Sequence, residues 1–387
     1  MIQTVMLGDL IKVVKGVSYR SADYAEEGAG LPFVNLKCVG RGGGFRHDGI
    51  KYYKGDFKPE QNVEPGDILI ANTDLTQNRE VIGSPIIMPD VGAEACFSLD
   101  LSKLVVEDET KIDQQYLYYF LKSPIARSYM LANSNGSTVM HLSVKSVPKM
   151  PINLLDLQAQ KKIADILGTI DEKIELNRKM NETLEQMGQA LFRHYFIDNP
   201  AAEKWKMGQL DDLFEIVMGQ SPPGSSYNEN GEGITFYQGR AEFGVRFPNK
   251  RLSTVDPKRL AKKGDTLLSV RAPVGDINQA TEDCCVGRGL AAVSSKTGAT
   301  SFCYYSCKNL QGKFVEYNSE GTVFGAINGK QLKSLKVKLP ATNVIDTFEE
   351  QVSKLDEQIL NNSQQIQTLT TLRDTLLPRL ISGKVKV

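Results

Sequence analysis

The sequence predicts an α+β protein built as a repeat. Two β-rich, mixed α/β domains are joined by two long helices pairing as an antiparallel coiled coil, with a pseudo-two-fold relation between the halves. Three observations predict it. Residues 163 to 195 place Ile163, Ile166, Ile170, Ile174, Asn177, Met180, Leu184, Met187, Leu191 and Tyr195 at gaps of three and four, one apolar stripe down a helix. Adding 185 gives Phe348, Leu355, Ile359, Asn362, Leu369, Leu372, Leu376 and Leu380, and seven positions are identical between 170–196 and its partner window, Asp171/Asp356, Glu172/Glu357 and Asn177/Asn362 among them. Outside the helices, short β-type runs are broken by Gly and Pro.

Each helical run of about 40 residues would extend about 60 Å, too long for one small core to cover. The expected seam sets Ile170, Ile174, Asn177, Leu184 and Leu191 against Leu355, Ile359, Asn362, Leu369 and Leu376. One Asn per stripe costs stability but favours a single register. The alternative is two separate surface helices, each packed on its own domain.

Residues 1–152 read as the first domain. LPFVNLKCV, GDILIAN after the turn Glu64-Pro65-Gly66, IGSPIIM and LSKLVVE have the length and composition of strands, and a helix follows from Asp113 to about Ser128, broken near Pro124. Residues 153–200 are the central long-helix region, 201–338 a second domain on the same plan, and 339–387 the closing helix region. Leu7-Gly8-Asp9-Leu10 is echoed by Met207-Gly208-Gln209-Leu210, and Pro65-Gly66-Asp67-Ile68-Leu69 by Lys263-Gly264-Asp265-Thr266-Leu267. Asn135-Gly136-Ser137-Thr138-Val139 is echoed by Glu320-Gly321-Thr322-Val323-Phe324, and Leu142 and Lys145 by Ile327 and Lys330. The interval falls from 200 through 198 to 185, which places most of the length difference in loops between 70 and 130.

At 387 residues, 41% hydrophobic and 24% charged, the chain can bury two or three cores and is not a disordered polymer. No run of about 18 apolar residues occurs, and MIQTVMLGDLIKVVKG lacks the parts of a signal peptide, so the expectation is a cytoplasmic protein with no membrane partner. Six cysteines, Cys284 and Cys285 adjacent and Cys303 four before Cys307, form neither a disulfide framework nor a pair of zinc knuckles; they are expected to be reduced and buried, with no metal bound.

Net charge is zero, but its distribution is uneven. Arg240 to Arg271 holds nine Lys or Arg against three acids, and residues 37 to 58 hold six against two, whereas Asp156 to Asp198 carries eight acids and six bases. Positive patches on the globular segments fit a phosphate backbone, and equally an ordinary solvated face.

A further set of residues carries a resemblance. Met218-Gly219-Gln220-Ser221-Pro222-Pro223-Gly224 through Tyr227, Ser269-Val270-Arg271-Ala272-Pro273-Val274-Gly275-Asp276-Ile277, Gly287-Arg288-Gly289-Leu290, Gly321-Thr322-Val323-Phe324 through Lys330, Leu339-Pro340, and Leu376-Leu377-Pro378-Arg379-Leu380-Ile381-Ser382-Gly383 follow in this order. In that order the chain resembles, over essentially its whole length, the specificity subunit of a type I restriction-modification system. The first half departs: in place of the Arg-Ala-Pro-Val-Gly-Asp run it reads Asn72-Thr73-Asp74-Leu75-Thr76-Gln77-Asn78-Arg79. The resemblance implies two target recognition domains, each reading half of a split, asymmetric sequence in double-stranded DNA. It implies two modification (methyltransferase) subunits as partners, two restriction subunits that can join them, and neither a catalytic site nor a cofactor in this chain. Two readers on one duplex must match its helical repeat, and a stiff helix pair is a suitable ruler.

The competing readings are a self-contained DNA-modifying enzyme and a coiled-coil scaffold with carbohydrate- or protein-binding domains. A methyltransferase needs a cofactor loop and an Asn/Asp-Pro-Pro-aromatic motif, but Asn199-Pro200 continues as Ala201-Ala202, and Gly40, Gly42, Gly43 and Gly44 lack a strand-to-helix setting. No GxxxxGK[ST] loop exists. Asp67 and Asp265 with nearby lysines loosely match a nuclease, yet both sit in Gly-Asp turns where Asp commonly bonds its own backbone. His47, His141 and His194 are unlinked in spacing, and His194 is expected to pack or cap.

Arginines on Gly-flanked loops are natural DNA contacts, since Gly admits close backbone approach and Arg bonds guanine or phosphate bidentately. Arg271 and Arg288 qualify on context and on the family pattern, Arg240 and Arg246 on charge. Ser221, Tyr227 and Gln238 lie where the second domain opens; the first domain offers Ser18, Tyr19, Arg20, Lys37, Arg41, Arg46 and Arg79. Lys145 and Lys330 occupy matching positions and read as phosphate contacts or as helix-start residues. Arg271 bracing a turn, and Tyr19 or Tyr227 packing at a core edge, are the structural alternatives.

Overall fold

A computed structural model describes residues 3–318 and 325–385. The expected repeat element Gly321-Thr322-Val323-Phe324 lies outside the described residues. The chain divides into two compact units, residues 1–176 with 365–387 and residues 177–364, each holding one domain and parts of both long helices. The central helix spans Leu157–Phe192 and the closing helix Thr342–Ile381. Among the described residues no helix is long and apolar enough to cross a membrane.

The first unit holds a four-stranded antiparallel sheet in the order Ile11–Lys15, Leu101–Val106, Ile68–Ala71, Pro85–Ile87. Beside it in sequence is a five-stranded mixed sheet, Tyr24–Ala25, Lys51–Tyr53, Leu31–Val34, Ala95–Phe97, Asn62–Val63. The second unit repeats both orders: Phe214–Met218, Leu290–Ser295, Thr266–Ser269, Ile277–Gln279, and Tyr227–Asn228, Leu252–Thr254, Ile234–Tyr237, Cys284–Val286, Leu260–Ala261. Even the parallel strand pairing recurs, Cys96 beside Phe33 and Cys285 beside Phe236. All four runs read as strands in the first domain contain strands. The expected broken helix is two helices, Gln114–Lys122 capped by Asp113 and Pro124–Ala132 capped by Ser123, with Pro124 at a first-turn position where its missing N–H is harmless.

The strand geometry corrects one echo. Ile11–Lys15 and Phe214–Met218 hold the same place in their sheets, so Leu7 matches Leu210 and Asp9 matches Asp212, three residues beyond the pairing read from Leu-Gly-Asp-Leu. Both carboxylates accept a backbone N–H three residues earlier, Asp9 from Met6 at 3.2 Å and Asp212 from Gln209 at 2.7 Å. Asp67 and Asp265 do the same with Glu64 and Lys262, at 3.0 and 2.7 Å, which is the structural role expected of a Gly-Asp turn.

The helix stripe also needs correction. Ile166, Met180, Met187 and Leu372 are exposed, whereas Leu167, Gly188 and Val352 are buried and Asn181 half-buried. The inward positions run 163, 167, 170, 174, 177, 181, 184, 188, and 348, 352, 355, 359, 362, 366, 369, 373, alternating four and three as a 3.5-residue period requires. Within the first unit Ile163 and Leu167 share a core with Leu377 and Leu380, and Asp171 meets Arg373, so the helix segments run in opposite senses. Within the second unit Asn181 meets Ile359 and Ser363 while Tyr195 meets Gln351, again antiparallel. Asn362 donates to Asn181 Oδ1 at 2.9 Å, giving the expected polar seam residue a partner, although that partner is Asn181. Ile174, Asn177, Ile359 and Asn362 are buried; Ile170, Leu184, Leu191, Leu355, Leu369 and Leu376 are half-buried.

Candidate nucleic-acid interface

In the second unit the separated motifs come together at one end of the four-stranded sheet. Gly219 follows the first strand so closely beside Gly287 that an added Cβ would lie 2.1 Å from the Gly287 carbonyl oxygen, which leaves no room for another residue. Gly219 N–H donates to Leu290, Val270 N–H to Gly289, and Ile327 N–H to Val270. Ser221 Oγ accepts the Arg288 N–H at 3.3 Å, and Arg271 bridges to Ala326. This network gathers Ser221, Gln238, Arg271 and Arg288 around the Gly287–Leu290 turn, with Gln238, Arg271 and Arg288 exposed. Lys330 is exposed in the short helix Gly329–Lys333, which Asn328 caps. Tyr227 instead packs on Phe236 and donates to the Pro222 carbonyl at 3.0 Å, the core-edge role. Arg240 pairs with Asp276, and both line a cleft of about 780 Å³ together with Gln238, Arg251 and Asn278.

The same corner of the first unit has other chemistry. Leu99 and Asp100 stand where the second unit has Arg288 and Gly289. Asp100 accepts from Tyr19 at 3.1 Å and Thr73 at 3.3 Å. Tyr19 packs edge-on against Tyr24 and Phe33, so its ring is core edge and only part of it is open; burial, with Tyr24 and Asp100 nearby, pushes its hydroxyl pKa well up. Ser18, Arg20, Lys37 and Lys145 are exposed; Arg41 pairs with Glu80 at 3.3 Å and Arg46 with Asp48 at 2.5 Å, both on the surface.

The two domains differ most at one hairpin tip. Between matching strands the first has residues 72–84, the second 270–276. The longer tip is held by Asp74, a buried carboxylate that accepts N–H groups of Thr76, Val81 and Ile82 at 2.6 to 2.7 Å. Burial alone would raise its pKa, but these hydrogen bonds prevail and hold it below the usual carboxylate range. Leu75, Gln77, Asn78 and Arg79 project from the tip, Arg79 with φ +56°. Asp74 was not visible as an anchor in the sequence because its donors come from residues up to eight positions later.

Arg246, chosen on charge, does not face solvent. It is 4% exposed, with Nη1 2.6 Å from Glu185 and Nη2 2.7 Å from Asp356, and its guanidinium lies over the Tyr304 ring. A charge so enclosed by two carboxylates is not available to a phosphate. Lys308 joins Glu185 at 2.7 Å, and Tyr305 donates to Asp356 at 3.3 Å. Gly188 makes this fit: a Cβ there would stand 2.1 Å from Tyr305 Oη.

The first unit has a counterpart. Tyr119 and Lys122 reach Asp171 at 3.1 and 3.3 Å, but the arginine is Arg373, at the closing-helix position that Gly188 holds in the central one. Burial opposes ionisation of Asp171, yet Lys122 and Arg373 prevail and its pKa is lowered; Asp356 is raised, its burial outweighing Arg246. The sequence did contain a signal, Tyr118-Tyr119-Phe120-Leu121-Lys122 repeated as Tyr304-Tyr305-Ser306-Cys307-Lys308.

The chain is similar to known proteins both in sequence and in fold. The family model for the type I restriction modification DNA specificity domain matches twice, over residues 2–186 and 202–371. A Methanocaldococcus jannaschii protein named "Putative type I restriction enzyme MjaX specificity subunit" is 32% identical over 313 residues, 73% of this chain and 71% of that one. The HindI specificity subunit of Haemophilus influenzae is 23% identical over 73% of this chain and 80% of its own. In fold, the crystal structure of the type I restriction-modification S subunit from M. genitalium matches with a TM-score of 0.67 at 17% identity, covering 98% of this chain and 96% of that one.

Proposed function

We infer, from the premise that this chain belongs to the type I restriction-modification DNA specificity family, that it reads a bipartite, asymmetric target in double-stranded DNA with its two domains. One observation supports this reading above the others: one scaffold, strand for strand, occurs twice with unlike tips, Asn72–Ser84 against Val270–Asp276. Identical scaffolds need not read identical bases when the tips differ, so the half-sites differ. Residues 1–152 and 201–338 act as the recognition domains, and 153–200 and 339–387 as the helix regions that set spacing. Arg271, Arg288, Gln238 and Ser221 in the second domain, with Lys330 beside them, contact DNA; in the first, Ser18, Arg20, Lys37, Arg79 and Lys145 do, and the surface pairs of Arg41, Arg46 and Arg240 open readily to phosphates.

The chain carries no chemistry of its own in this reading. It docks two methyltransferase subunits, and two restriction subunits where these occur. The repeated helix segments with their Tyr-Tyr-x-x-Lys partners offer like surfaces for two like copies. Sequencing of methylated bases in cells with and without this chain, the modification subunit present in both, is the test. A split motif methylated only with the chain present supports the reading; methyl transfer by the chain alone, or an undivided motif, overturns it.

A further inference from the structure

In the second domain the loop Gly239–Phe247 carries an apolar side chain that folding does not use. Val245 is 101% exposed, yet both its neighbours are fixed. Gly244 N–H donates to Asn278 Oδ1 at 3.1 Å and the Gly244 carbonyl accepts from Asn278 Nδ2 at 3.1 Å; Asn278 is buried. On the other side the Arg246 carbonyl accepts the Gln279 N–H at 2.9 Å, and its side chain is locked between Glu185 and Asp356. A mobile loop tip often exposes an apolar residue without meaning. A tip pinned on both sides holds a β-branched side chain out in one orientation, and its ordering entropy is already spent before anything binds.

We propose that Val245 is a base-reading residue of the second domain and that its ligand is the C5 methyl group of a thymine in the major groove. This rests on the DNA-reading role inferred above. Valine has no donor or acceptor, and the thymine methyl is the apolar group the major groove displays. The surroundings suit a duplex: Arg240 and Lys250 are exposed on the same segment, each in a surface ion pair weak enough to exchange for phosphate, and Arg251 is exposed beside them, held to the buried Glu242. A neighbouring protein would be met by an isolated valine among charges, a poor anchor compared with the buried aromatic or arginine pockets that hold interfaces together.

Duplexes carrying the split target, with each thymine in turn replaced by deoxyuridine, are bound by the full assembly with its methyltransferase subunits, using the unaltered chain and Val245→Ala. One replacement, in the half-site assigned to the second domain, weakens the unaltered assembly about fourfold, the worth of one buried methyl, and leaves the variant unchanged. Indifference of the unaltered assembly to every replacement, or equal discrimination by the variant, overturns the proposal. So does release of the methyltransferase subunits by Val245→Ala, which would make Val245 a protein contact. If the unaltered assembly recognises no DNA sequence, the DNA-reading role itself falls.

Discussion

Arg246 and Asp356 stand 2.7 Å apart, joining a loop of the second domain to the closing helix through a charge pair shut away from water. Glu185 and Lys308 complete the cluster, so the helix segments and the domain surface of this unit share one electrostatic core. Removing one member strands the others. Arg246→Ala should destabilise the unit by about 3–5 kcal/mol in denaturant unfolding, and adding Asp356→Asn should recover part of that. Unchanged stability of the single variant would deny the pair its role.

Asp171 sets an acid dependence. Its folded pKa is depressed, so its contribution is present above the ordinary carboxylate range and is lost as pH falls through the folded value. Glu185 is lowered too, its burial outweighed by Arg246 and Lys308, while Asp356 is raised by burial and acts in the opposite sense. Melting temperature measured from pH 7 to about 3 should therefore fall less steeply for Asp171→Asn than for the unaltered chain. Parallel curves would contradict the assignment.

Gly219→Ala should destabilise by about 1–3 kcal/mol, because the new methyl meets a backbone oxygen that no side-chain rotation relieves. Gly16 is held against the Ser98 carbonyl in the same way, and Gly16→Ala should behave alike. Gly224, with open space around it, is the control expected to tolerate alanine.

All six cysteines are buried and unpaired. Burial pushes the Cys38 thiol up to about 11 and those of Cys96 and Cys284 up to about 12. A thiol reagent at pH 8 should find none reactive in the native chain and six after denaturation, counted by absorbance. Fast labelling of one or more native thiols would refute this.

Much of the architecture was legible because the hydrophobic pattern and its repeat are local quantities. The helix stripe went wrong at Ile166, Met180, Met187 and Leu372, each one residue before the inward position; at three of the four that position holds Asn181, Gly188 or Arg373, which a search for apolar residues passes over. Strand existence was readable from Ile68–Ala71 and Leu101–Val106; the register that aligns Leu7 with Leu210 was not, because it is fixed by hydrogen bonds to Pro151–Leu154 and Lys336–Lys338 far along the chain. At the candidate site, Arg271 and Arg288 are exposed on tight turns as their glycines suggested. Arg246 misled because charge alone cannot tell a solvated arginine from one enclosed by acids on distant helices, and Asp74 was passed over for the converse reason.

Gly188 is a keyhole in an otherwise side-chain-lined seam. Any larger residue there must displace the Tyr305 hydroxyl, which lies within reach of Arg246, the residue next to Val245 in the chain. A single methyl added to a helix can thus alter what a surface loop presents while every residue of that loop stays the same. Variants of this chain with changed behaviour and untouched tips are best sought first along the helix seam.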